Sequence, residues 1–154
     1  MSNSTENEKQ TPSEELAEFM ETPKAQDSFL TAIDLHLNKA IETTEHLSPY
    51  FEATSQNQPD EATMYQVLGA LTQRLAIIDQ FIEGIEGNNK LIDTAGYPLD
   101  RATAITQLLS AYFSPGSNIQ ADNKTVYHAL AAIDLELSMI LKALEAYEKI
   151  SEQA

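Results

Sequence analysis

A chain of 154 residues suits one domain with a proper hydrophobic core. Twenty-four acidic residues against nine basic ones give a formal charge of −15 at pH 7. Such a charge disfavours nucleic acid and anionic lipid, both recognised through Lys and Arg. The absence of cysteine excludes disulfides, thiolate nucleophiles and thiolate metal sites.

Residues 1–10 are polar and aperiodic, the composition of a disordered tail. They lack the basic and apolar regions of a secretory signal, and no apolar run approaches the ~20 residues of a membrane span. No contact with a membrane and a cytoplasmic location are therefore expected. Thr11-Pro12-Ser13-Glu14 then reads as a capped helix start. The short amphipathic helix that follows, over 11–22, has Leu16, Phe19 and Met20 on its apolar face and stops before Pro23.

A helical bundle domain is expected over 26–151. Its first long helix, from about 27 to 47, repeats Leu30, Ile33, Leu37, Ala40, Thr44 and Leu47 at alternating three- and four-residue steps. Ser48-Pro49 ends it, because proline disfavours the α conformation in the residue before it. Pro59-Asp60-Glu61 opens the second, about 60–86, with Met64, Leu68, Leu71, Leu75, Ile78, Ile82 and Ile85 as its stripe. Gly69 inside it would let a neighbour approach closely, and Gly87-Asn88-Asn89 stops it. Leu91 and Ile92 indicate that part of segment 90–96 is helical or tucked under the core.

Pro98 opens a shorter helix reaching Phe113, with Leu99, Ala102, Ile105, Leu109 and Tyr112 inward. Ser114-Pro115-Gly116 breaks it. The last helix, about 122–150, is the longest. Val126, Leu130, Ile133, Leu137, Ile140, Leu144 and Tyr147 form one uninterrupted stripe. On this reading every proline lies at a start, a stop or a linker. No segment alternates with period two for long enough to be a strand. The class is all-α, an antiparallel four-helix bundle.

The first and last long helices resemble each other at an offset of one hundred. Leu30, Ala32, Ile33, Asp34, Leu35 and Leu37 match Leu130, Ala132, Ile133, Asp134, Leu135 and Leu137. Duplication of a helical hairpin and convergence on bundle heptads both account for this. With Ile133 and Leu137 inward, Leu135 points outward, accompanied by Ala131, Ala132 and Met139. This apolar outer face needs a cover: another element of the chain, a second copy, or a protein partner. Together with Leu35 it is the candidate interface.

The chemistry-bearing motifs are few, and none marks a metal or cofactor site. The three histidines occur in neither HExxH nor paired Glu-x-x-His. His36-Leu-Asn-Lys39 is similar to the His-x-x-Lys of histidine phosphotransfer domains, but Ala40 stands where those carry glycine. His36 is read instead as a surface histidine. Glu42, Glu45, Glu83 and Glu86 would supply a Mg²⁺-dependent all-α hydrolase, yet no ExxD follows at a suitable distance. The expected function is therefore binding of a basic protein, as an inhibitor, immunity protein, secretion chaperone or adaptor, and not catalysis. Mimicry of nucleic acid is the alternative within that class; it requires carboxylates concentrated on one stripe, whereas here they are spread along the chain.

Overall fold

Two aspartates start two of the helices. Asp60 Oδ1 accepts the Thr63 N–H at 2.7 Å, and Asp122 Oδ1 accepts the Thr125 N–H at 2.7 Å. Each satisfies a backbone donor that the first turn leaves without a partner. The structure, a computed structural model, describes residues 25–118 and 121–153. The expected tail over 1–10 and short helix over 11–22 lie outside the described residues.

The described helices are α1 (Ala25–Leu47), α2 (Glu61–Glu83), α3 (Asn89–Tyr112) and α4 (Asn123–Gln153), with a 3₁₀ turn, Ser48–Phe51, after α1. No strand occurs among the described residues. The principal contacts join α1 to α2, α2 to α3, α3 to α4 and α4 back to α1, a closed ring around one core. Phe29 meets Phe81 with ring centroids 5.5 Å apart, and His36 meets Arg74 further along. Position rises on α1 as it falls on α2, so this pair runs in opposite directions. The fold is an all-α helical bundle.

The stripes read from the sequence line the core, with Leu30, Ile105, Tyr112 and Tyr147 only partly buried at its edge. On α2, Met64, Leu68, Leu71, Leu75, Ile78 and Ile82 are buried, with Ile85 just beyond its end. On α4, Val126, Leu130, Ile133, Leu137, Ile140 and Leu144 are buried. Each such side chain contributes about 1.5–3 kcal/mol relative to exposure. Phe29 and Phe81 also fill the core, although they stand one position off the regular spacing, and Phe51 continues the α1 spacing four residues after Leu47.

Pro98 departs from the expectation. The third helix does not begin there but at Asn89, so Pro98 lies inside it. Proline lacks the N–H for the Thr94 carbonyl, and its ring crowds that oxygen. Leu91 and Ala95 explain why the helix runs through. Both are buried, extending the Leu99–Ala102 stripe toward the N-terminus, and their packing outweighs one lost hydrogen bond.

The glycines also sort differently from the reading. A Cβ built at Gly69 would meet nothing within 4 Å, so no neighbour exploits that position. The close approach is at Gly84, where a Cβ would lie 2.7 Å from Phe29 Cε2. Gly87, at φ +67°, takes the left-handed conformation that separates α2 from α3.

Candidate interaction surface

Helical geometry turns Leu135 away from Ile133 and Leu137, and the structure leaves it 63 % exposed. Met139, one turn on, is 42 % exposed. Ala131 is exposed and Ala132 half-buried. Among the described residues, the outer face of α4 is thus an exposed apolar surface.

α3 extends it. Arg101 Nε donates to Glu136 Oε2 at 2.8 Å, tying α3 to α4. Further along the same seam, Lys90 and Thr94 line a groove of about 260 Å³ with Ala143, Ala146 and Ile150. Position therefore falls on α3 as it rises on α4. Tyr97, one turn before Arg101, stands at the level of Met139; Leu108, two turns after it, stands at the level of Ala129. Tyr97 is 72 % exposed and Leu108 67 %. The face centred on the Arg101–Glu136 pair therefore carries Tyr97, Leu108, Leu135, Met139 and Ile150. The sequence held a signal for the α3 part that a single core stripe concealed: Tyr97, Arg101, Ala104 and Leu108 repeat at four, three and four.

The pair at the centre is incompletely satisfied. Glu136 Oε1 is buried with no hydrogen-bond partner among the described residues. The Glu136 hydrogen bond holds the Arg101 guanidinium pKa above its ordinary value.

Leu35, grouped with this face in the sequence reading, does not join it. It is exposed, but its neighbour His36 faces α2, whereas Glu136, the neighbour of Leu135, faces α3. Leu135 itself stands between Asp134, which faces α1, and Glu136, and points away from both. His36 in turn is no bare surface histidine. Its Nδ1 lies 2.8 Å from Arg74 Nη1, which donates to it, and its ring stacks on Phe81 at 6.0 Å.

The glutamates of the hydrolase reading do not converge. Phe29 opposite Phe81 puts the end of α2 beside the start of α1. Glu83 therefore lies at one end of the bundle and Glu42 and Glu45 toward the other, on the order of 20 Å apart at 1.5 Å per residue. Among the described residues no three Asp, Glu, His or Cys side chains gather as a metal site. A second groove, about 280 Å³ between α2 and α3, has Asp79 and Asp100 on its walls. Partial burial, then the nearby Glu83 and Asp100 charges, raises the Asp79 pKa. No described helix is long and apolar enough to cross a membrane.

Charge is divided unequally around the ring. Residues 27–86, which build α1 and α2, contain ten acidic and two basic side chains. Residues 90–152, which build α3 and α4, contain eight acidic and five basic. The apolar outer face thus lies on the more balanced half. No family model, curated protein or solved structure matches this chain.

Proposed function

We propose that this protein acts by binding a basic protein partner, in the manner of an inhibitor, an immunity protein, a secretion chaperone or an adaptor. The observation that carries this reading is the acidic excess of the α1–α2 half, ten acids against two bases. A surface of that sign accelerates encounter with a positively charged partner and discriminates against acidic ones. Leu35, 56 % exposed among Asp34, Asn38 and Lys39, offers that half an apolar anchor. Hot spots generally combine such an anchor with a polar surround.

The test is affinity capture from the native cell extract at low and at high salt, followed by charge reversal. A stoichiometric basic protein should be retained at low salt and weakened at high salt, because exposed charges are screened. Glu42→Lys with Glu45→Lys should reduce its retention further. Recovery of no stoichiometric partner under either condition overturns the proposal.

A further inference from the structure

The α3–α4 outer face differs from the rest of the molecule in two respects at once. It gathers large exposed apolar side chains, and it belongs to the half holding five of the nine basic residues. A strongly basic partner would meet Lys90 and Arg101 there; a strongly acidic one would meet Asp93 and Glu136. A face of mixed sign with an apolar centre suits a surface of its own composition. We infer that this face binds a second copy of the chain, forming a two-fold dimer whose acidic α1–α2 halves point away from each other.

Three further features support self-association. A two-fold interface repeats every contact, so a face offering both donors and acceptors is self-complementary. This one offers the half-exposed Arg101 as a donor and the exposed Asp93, on the wall of the groove along the same seam, as an acceptor. Area is also sufficient. Two packed helices are roughly 20 Å wide, and the level of Leu108 lies about 32 Å from Ile150 at 1.5 Å per residue. That footprint approaches the ~800 Å² per partner of a standard interface. Finally, the acidic halves would be separated by more than the roughly 8 Å over which exposed charges act at physiological salt.

Sedimentation analysis of the full chain tests the inference. At physiological salt the expected species has twice the 17.0 kDa chain mass. It should persist at about 0.5 M salt, unlike the salt-sensitive partner complex proposed above. Leu135→Asp and Tyr97→Asp should each give a 17.0 kDa monomer with unchanged helical circular dichroism, and Leu35→Asp should remain dimeric. A wild-type chain that stays monomeric up to about 100 µM overturns the inference. So does a dimer that survives both α3–α4 variants, or one that Leu35→Asp abolishes equally. A monomeric chain that still captures a basic partner would leave the proposed function standing, so the two readings fail separately.

Discussion

Thr44 Oγ1 lies 2.9 Å from Asp134 Oδ1, joining α1 to α4 through a threonine with no solvent exposure. The Ile41 carbonyl lies 2.9 Å from the same hydroxyl, which has a single proton to donate. Thr44 occupies a core position in the α1 stripe, so its hydroxyl is tolerable only because it finds these acceptors. Thr44→Val keeps the shape and removes the donor. It should cost about 1 kcal/mol in urea denaturation, and a double-mutant cycle with Asp134→Ala should assign most of that to the pair.

Leu137 and Leu135 are two residues apart and opposite in consequence. Leu137 has no exposure, and Leu137→Asp strands a carboxylate in packed core, where even truncation to Ala costs about 2–5 kcal/mol. The variant should lose its cooperative thermal transition. Leu135→Asp should change stability by less than about 0.5 kcal/mol when measured on the monomer, as other exposed substitutions do.

The two glycines of the α2 region should respond with opposite sign to alanine. Gly69→Ala adds a Cβ in open space and should stabilise by up to about 1 kcal/mol through helix propensity. Gly84→Ala drives a methyl to 2.7 Å from the buried Phe29 ring and should destabilise by about 1–3 kcal/mol. Chemical denaturation of both variants measures this.

The capping aspartates give the fold an acid limit. The Thr63 hydrogen bonds hold the Asp60 pKa below its ordinary value, and those of Thr125 do the same for Asp122. For a carboxylate depressed on folding, the stabilisation is complete above its unfolded pKa. It is lost as pH falls through the lower folded value. Asp60→Ala and Asp122→Ala should therefore melt below wild type at neutral pH, and the gap should narrow only below about pH 4.

Asp79 has the reverse sign. Its folded pKa is raised by partial burial, then by Glu83 one turn along and by Asp100 across the groove. Its favourable contribution is present below the unfolded pKa and disappears as pH rises through the folded one. Asp79→Asn should stabilise at neutral pH by about 0.2–0.5 kcal/mol, the size of a like-charge pair at four residues' spacing. Melting curves across pH should show this advantage vanishing below about pH 4.

The inward halves of the helices were legible because a stripe at three- and four-residue steps has one way to bury itself. Ile33 and Ile133, like Leu37 and Leu137, are fully buried at matching positions, and Leu35 and Leu135 are both exposed. The matching pattern thus gives these three pairs the same burial, whereas Leu30, Ala32 and Asp34 differ in exposure from Leu130, Ala132 and Asp134. The third helix was read short because Pro98 looks locally like a start. Only the neighbours that bury Leu91 and Ala95 make its interior position affordable.

Composition and periodicity by themselves determined an all-α bundle, its core stripes and the outward position of Leu135, because each depends only on helix geometry and on the preference of apolar surface to leave water. Tertiary structure decided what stands beside Leu135. Arg101 meeting Glu136 marks the register of α3 on α4, and that register adds Tyr97 and Leu108 to the face beside Leu135. No local pattern encodes it, because register arises from the packing of two helices against each other.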